Sequence, residues 1–392
     1  MGLLEYLITS IIIFIIPGEI LRFDTQSSGF VLTDILTLLL FFYLLFCIIK
    51  DKKLPKLKLL WPGVFFIGTL SLSLIFSPLN ITKEQTFISF LYLLRFISYF
   101  AIYLSFFYLN KDFIRNKIWK VLLFSVTTFL ILGYLQILLY PDLRNLVYAG
   151  WDEHLNRFFG TFLDPNFTGS FLTLFFLYVL FLLLNKKYNH KFLWLILSAS
   201  FVAIFLTFSR SSYIMLASGV LVFLFLANRK KEMIAFIILF SLFLVIILNN
   251  KLFGEGTKLF RTASISARQV SANEAIDTFK KNPITGVGYN SYKFALQKYK
   301  SYENKSIKPR SAFGTDNSFL FILATSGIIG FTSFLYLVFQ IMRLTVYQNK
   351  TQSIYFLSSI VVLGIGSLFN NLLFYPFIMI WYFILLGLTE SK

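Results

Sequence analysis

The chain has one cysteine, two histidines and little charge. Cys47 alone permits no intramolecular disulfide and is silent about redox compartment. His154 and His190 are lone, and no His-Glu-x-x-His run, no Asp-x-Asp pair in an exposed loop and no P-loop lysine run occurs. Those motifs hold metals and nucleotides at fixed spacing, so metal- or nucleotide-driven chemistry is not expected. Charged residues are only 14% of 392. Soluble domains carry about 25%, which argues against a soluble protein. Gly286-Val287-Gly288 follows no predicted strand, so it reads as a turn, not a dinucleotide fingerprint. No internal repeat is visible, nor the matched Gly/Pro-broken helices of an inverted-repeat transporter.

Apolar residues make up 57% of the chain, mean hydropathy is +0.74, and fifty residues are Phe. They fall in solid apolar blocks of about 17–23 residues, the length of membrane-spanning helices. A barrel would show short alternating segments instead. The expected fold class is therefore an all-α polytopic membrane protein. Twelve spans are predicted, at about 3–16, 31–49, 59–76, 86–108, 118–139, 167–184, 192–207, 211–227, 233–249, 318–341, 353–370 and 372–388. The last two are separated by little more than Asn370-Asn371. The first block lacks a basic leader and a small-residue cleavage site, so it reads as a short span.

Every second connection is basic: 50–58, 110–117, 185–191, 228–232 and 342–352. The positive-inside rule then places both termini in the cytoplasm. It places 17–30, 77–85, 140–166, 209–211 and 250–317 on the other side. Much of the net charge of +18 thus sets topology, and nucleic-acid binding is not expected. The layout is nine spans in 1–249, one large extracytoplasmic loop at 250–317, and three spans in 318–392.

The long loop carries twelve of the thirty-six Lys and Arg residues, and long loops translocate largely regardless of charge. Within it, 266–279 reads as a helix capped by Ser264 or Ser266 and stopped at Asn282-Pro283. Residues 290–302 read as a second, amphipathic helix able to lie on the bilayer surface. Residues 303–313 read as flexible. Tyr289, Tyr292 and Tyr299 are candidates for stacking on sugars, or for simple packing.

Three polar clusters share the outer side: Arg157 to Asn166, Thr207 to Ser212, and the long loop from Arg261 and Arg268 to Asp316-Asn317. Arg210 stands in a very tight turn between two apolar runs, which is costly unless it meets an anion or a water-filled cavity. A snorkelling arginine at the interface is the other reading. Arg95 lies near the middle of its span, either paired with a carboxylate or lining a cavity for a lipid head group. Asp164-Pro165-Asn166 opens a span as an N-cap would, and a helix N-terminus also favours an anion. Asp316 could cap the helix that follows, act as a general base, or both.

Taken in order, these residues resemble the O-antigen ligase / O-antigen polymerase family of bacterial membrane glycosyltransferases, over roughly Arg157 to Phe334. The shared elements are Gly-x-Phe-x-x-Pro-Asn-x-x-Gly at Gly160–Gly169 and Thr-x-Ser-Arg at Thr207–Arg210. Next come Arg268 followed by Asn-Pro-x-x-Gly-x-Gly at Asn282–Gly288. The last are x-Asn-x-x-Leu at Asp316–Leu320 and Ser-Gly-Ile-Ile-Gly at Ser326–Gly330.

The resemblance implies a GT-C-like helical enzyme of the bacterial cytoplasmic membrane, working on its outer face without metal or cofactor. Its donor and acceptor would be undecaprenyl-diphosphate-linked glycans, with a flippase and a chain-length regulator as possible partners. Arg210 and Arg268 match the family's two diphosphate-contacting arginines. Arg157, Asp164, Asn166, Arg95, Arg261 and Asn317 are further candidates for binding substrate. The ligase branch carries a histidine where this chain has Asp316, which favours a polymerase over a ligase. A lipid-linked glycan transporter and a scaffolding protein are the readings from other classes.

Overall fold

A computed structural model describes residues 2–24, 29–185, 189–248, 262–300 and 314–390. Arg261 and the stretch 303–313 lie outside the described residues. The fold is helical. Its helices are α1 (Leu3–Ile13), α2 (Leu32–Asp51), α3 (Leu60–Ile75), α4 (Lys83–Ser105), α5 (Ile118–Leu139), α6 (Pro165–Asn185) and α7 (His190–Leu206). They continue as α8 (Arg210–Leu226), α9 (Lys230–Leu248), α10 (Thr262–Lys281), α11 (Tyr292–Lys300), α12 (Ser318–Val346), α13 (Lys350–Ser367) and α14 (Pro376–Glu390). One small departure from the all-α expectation is an antiparallel pair, β1 (Arg22–Asp24) and β2 (Gly29–Val31).

A helix stands at each expected apolar block. Among the described residues six of them, α2, α4, α5, α6, α9 and α12, are long and apolar enough to cross a membrane, whereas α1, α3, α7, α8 and α14 are apolar but shorter. With these helices and 57% apolar residues, the chain has the make-up of an integral membrane protein. The connection from α13 to α14 is longer than expected, because Leu372–Phe374 form a 3-10 turn between them.

Contacts gather one set of connections at one end of the bundle. Thr161 Oγ1 donates to Ile16 O (2.7 Å) and Ser77 Oγ to Val287 O (2.6 Å). Asn317 Nδ2 donates to Leu368 O (3.2 Å) and Asn370 Nδ2 to Ser211 Oγ (3.2 Å). At the opposite end, Leu59 N–H donates to Glu390 Oε1 (3.3 Å) and Gln348 Nε2 to Thr389 O (2.7 Å).

α12 is broken internally. Gly327 has φ 62° and ψ −164°, outside the helical region. Residues 283–288 run beside the break. Val287 N–H donates to Ala324 O (3.0 Å) and Gly288 N–H to Thr325 O (2.9 Å), while Ile328 N–H donates to Pro283 O (2.8 Å). A broken helix frees polar backbone that lipid cannot satisfy, and this segment supplies the partners. The approach is close enough to demand glycine. A Cβ on Gly327 would lie 2.2 Å from Ile284 O, and one on Gly286, where φ is 70°, 2.4 Å from the Thr325 carbonyl carbon.

The loop helices differ from expectation in detail. α10 starts earlier than predicted, so Ser264 and Ser266 lie inside it instead of capping it. α11 does not lay an apolar face on the bilayer surface: Tyr292, Phe294 and Leu296 are buried within the protein. Tyr289 is buried too. Tyr299 is occupied by Lys281 Nζ, 3.9 Å from its ring centroid, and by a hydrogen bond from Asn282 Nδ2 (2.9 Å). Tyr289 and Tyr292 join the main core, and Tyr299 packs with the small cluster of Leu79, Ile81, Val287 and Ala295.

Gly327→Val is expected to cost on the order of 3 kcal/mol or more, through a strained backbone and a backbone clash. Gly68→Ala, inside α3 where nothing lies within 4 Å of the added Cβ, should instead be stabilising, by up to about 1 kcal/mol. Thermal unfolding of the two detergent-purified variants makes the comparison.

Candidate active site

The turn between α7 and α8 is only Thr207-Phe208-Ser209. Phe208 ends α7 in the left-handed region (φ 49°), leaving the last helical carbonyls without intrahelical partners. The segment before α6 satisfies them. Phe158 N–H donates to Leu206 O (2.8 Å), Arg157 Nε to Thr207 O (2.8 Å) and an Arg157 terminal nitrogen to Phe208 O (3.2 Å). A guanidinium also suits the negative end of a helix dipole. Arg157 is 3% exposed; it fixes the turn that presents Arg210.

The Gly160–Gly169 pattern has the same job. Gln136 of α5 accepts from Phe159 N–H (3.0 Å) and Gly160 N–H (3.1 Å), the latter at φ 53°. Asp164 Oδ1 accepts from Asn166 N–H (2.6 Å) and Phe167 N–H (3.2 Å), so it caps α6, whose first residue is Pro165. Asn166 Oδ1 accepts from Ser209 Oγ (2.9 Å). A Cβ on Gly169 would meet Ser212 Oγ at 2.3 Å. The N-terminus of α6 is thus pinned against the Ser-Arg turn.

On the other side, α10 carries Arg268 toward the exit of the loop. Asp316 N–H donates to Ser271 Oγ of α10 (3.2 Å). Asn317 is the cap of α12, its Oδ1 accepting from Phe319 N–H (2.9 Å) and Leu320 N–H (3.0 Å). Capping by Asn317 removes that role from Asp316 and leaves its carboxylate facing the cavities.

Two cavities meet here. One, of about 400 Å³, is bordered by Arg210, Ile214, Arg268, Asp316, Asn317 and Leu368 among others. The second, of about 610 Å³, takes in Arg157, Asp164, Asn166, Arg210, Arg268 and Asp316. Six predicted residues therefore share one cavity, although they come from sequence positions far apart, and Asn317 joins the first. Arg95 borders neither. It forms an ion pair with Asp34 of α2 and donates to Gly29 O (2.8 Å), while Tyr99 Oη donates to Asp34 Oδ1 (2.8 Å). Arg95 took the pairing role, not the cavity-lining one. A third cavity, of about 360 Å³ between α3, α4, α12, α13 and α14, has no charged lining residue.

Electrostatics tie the site together. The positive charge of Arg268 acts on both Arg210 and Asp316. Burial pushes the Asp316 carboxyl above the ordinary carboxylate range; Arg268 pulls it back and Asp152 adds to the push. Asp164 is pushed up to about 6, first by burial and then by Asp152, against its two backbone N–H bonds and Arg157.

Sequence reasoning missed Asp152 and the company of His154. One ligating atom each from Asp152, His154 and Asp164 lies within 4.8 Å of the others, so His154 is not lone. That trio could hold a metal by distance. An Arg157 terminal nitrogen lies 3.4 Å from His154 Nδ1, which sets a guanidinium charge beside the trio. The acidic run Asp152-Glu153, close before Arg157, was the available signal.

Residues 195–335 match the O-antigen ligase family model. The O-antigen ligase match takes in the Ser-Arg turn, Arg268 on α10, the inserted segment 283–288, Asp316 and the break in α12. It stops short of Gly160–Gly169, which the structure nonetheless places against the matched turn. No curated protein matches the chain. Ligases and polymerases of this family are membrane glycosyltransferase-like enzymes working on lipid-linked glycans, and that general type of function is what the match supports.

Two expectations test these assignments. Arg95→Ala should destabilise by about 3–5 kcal/mol, since it leaves the Asp34 carboxylate unpaired in a buried place, and Asp34→Asn should restore part of the loss in thermal unfolding. Asp164 has a folded value above its unfolded one. Its protonated form is thus favoured by folding, and that stabilisation is complete below about pH 4 and lost as pH rises through about 6. Asp164→Asn keeps the cap and should flatten this pH dependence, whereas Asp164→Ala should lose about 1 kcal/mol of capping at every pH.

Proposed function

We propose that the protein is a polymerase that joins undecaprenyl-diphosphate-linked oligosaccharide repeat units into a surface polysaccharide, on the outer face of the bacterial cytoplasmic membrane. The observation that carries this reading is the meeting of Arg210, Arg268 and Asp316 at the boundary of two cavities. The membrane topology that goes with it has twelve crossings, both termini cytoplasmic and the 250–317 loop outside, in a GT-C-like arrangement.

The chemistry follows from the charges. A hydroxyl at the non-reducing end of the acceptor glycan attacks C1 of the donor sugar. The C1–O bond to the diphosphate breaks, and its electron pair leaves with the phosphate oxygen. Arg210 and Arg268 face the charge that develops there, as preorganised cations do at other developing anions. Asp316 takes the hydroxyl proton, and its raised value makes it a better base than an ordinary carboxylate. Arg157, Asp164 and Asn166 hold the turn in place, Asn317 starts α12, and Arg95 braces α4 on α2. The products are undecaprenyl diphosphate and a longer lipid-linked glycan. None of these steps calls on a metal, so activity should survive EDTA. Asp316 in place of a histidine is what favours a polymerase over transfer to a different acceptor.

Arg210→Ala and Arg268→Ala should each lower polymerisation by about 10²–10³-fold in a normally expressed protein, read as the length of the polysaccharide made. Undiminished polymer from either variant would sink the assignment. Asp316→Asn should also lose activity, because the cap it would preserve belongs to Asn317. The wild-type rate should fall as pH drops through the Asp316 value, with that limb absent from Asp316→Asn. A transporter would instead move lipid-linked glycan across proteoliposomes without lengthening it.

A further inference from the structure

Arg210, Arg268, Thr315 and Asp316 border both cavities. The reacting line is therefore reached from two sides, and the two sides differ in chemistry. Around the 400 Å³ cavity, the other walls include Ile214, Leu320, Leu368 and Phe369. Ile214 is 46% and Leu368 52% exposed. Exposed apolar side chains on the helices of a membrane protein face lipid, so this side suits a hydrocarbon chain entering from the bilayer.

The 610 Å³ cavity has other walls. Trp151, Asp152, Glu153 and Asp164 border it, together with Phe167 stacked on Tyr375 at 4.1 Å between ring centroids; of its other charged residues Arg22 is paired with Glu19, and Arg157 is bonded to the Thr207 and Phe208 carbonyls. Those carboxylates repel a diphosphate. They accept hydrogen bonds from neutral hydroxyls, each ionised oxygen offering two lone pairs. A flat indole complements the C–H face of a pyranose ring. The volume also falls within the roughly 300–1,000 Å³ of ordinary small-ligand sites.

We infer that the 610 Å³ cavity is the acceptor-glycan subsite: the sugar that supplies the attacking hydroxyl lies on Trp151 against Asp152, with its hydroxyl directed at Asp316. The donor approaches from the other side, its diphosphate on Arg210 and Arg268 and its lipid leaving past Ile214 and Leu368. The inference rests on the polymerase reading above. Trp151 and Asp152 are specificity-determining residues in it. The acceptor's own diphosphate sits at the far, reducing end of its glycan, so the acidic wall meets only sugar.

The test uses the full-length protein in nanodiscs and two separate probes. One is the repeat-unit oligosaccharide released from its lipid by mild acid; the other is undecaprenyl diphosphate. Trp151→Ala and Asp152→Asn are expected to weaken oligosaccharide binding and raise the acceptor KM by about tenfold or more, with kcat nearly unchanged. Both should leave undecaprenyl diphosphate binding within about twofold of wild type. Trp151→Phe keeps a flat ring and should retain most oligosaccharide binding, which separates stacking from misfolding. Arg210→Ala should do the reverse, losing undecaprenyl diphosphate while keeping the oligosaccharide. An acceptor KM unmoved in Trp151→Ala and Asp152→Asn, or a loss of undecaprenyl diphosphate binding in them, overturns the subsite assignment alone. Normal polymerisation by the arginine variants would instead overturn the polymerase reading beneath it.

Discussion

Backbone polar groups that leave a helix inside an apolar bundle must find partners within the protein, because lipid offers none. That constraint explains where the candidate site lies. Two departures from regular helix bear on it, the α7–α8 turn and the break in α12 at Gly327. At the first, Arg157 and Phe158 N–H take three carbonyls from Leu206, Thr207 and Phe208. At the second, residues 283–288 exchange backbone bonds with 324–329. Each repair brings a polar segment down onto the bundle, and each brings an arginine with it. Arg210 follows the repaired turn directly, and Arg268 rides on α10, which the inserted segment anchors. The chemistry-bearing groups are placed by the need to satisfy peptide groups around them.

The same frame makes the electrostatics tolerable. Two guanidinium groups close enough to act on one another oppose their own approach, and the acids opposite them are held in partly buried positions where ionisation is resisted. Such an arrangement persists only on elements that cannot move apart. Here Asn166 is tied to Ser209, Ser209 to Ser211, and Ser211 to Asn370, so α6, α8 and the α13–α14 connection are linked by short hydroxyl and amide contacts. An anion bound between Arg210 and Arg268 would relieve their repulsion, and a group with two negative charges would do so more fully than one with a single charge.

How much of this was legible in the sequence depends on the kind of residue. Apolar blocks gave the helices and their order, because burial in a bilayer leaves a composition signal that needs no tertiary knowledge. Arginines between apolar runs were visible for the opposite reason: they are costly there and demand an explanation. The explanation itself was not visible. Arg95, Arg157 and Arg210 look alike in sequence, yet one braces Asp34, one holds a helix end at the edge of one cavity and one borders both cavities. Only the position of the partner decides, and Asp34 lies 61 residues from Arg95 and Thr207 50 residues from Arg157. The tyrosines of the loop misled for a related reason. An amphipathic pattern reports one apolar face but not whether lipid, sugar or protein covers it, and protein covers that of α11.

Asp316 shows how a single contact can change a reading without changing a residue. From sequence, Asp316 and Asn317 are equally good caps, and a cap needs no chemistry. Once Asn317 Oδ1 takes the Phe319 and Leu320 N–H groups, the acid beside it has no helical duty to perform. It remains buried enough to resist ionisation, near Arg268, at the boundary of the two cavities. A carboxylate so placed is destabilised for no structural return at this helix end, where Asn, Ser or Thr would do as well without the burial cost. The residue type makes physical sense if something on the cavity side uses the charge, and in the polymerase reading we propose, the hydroxyl that attacks C1 is such a user.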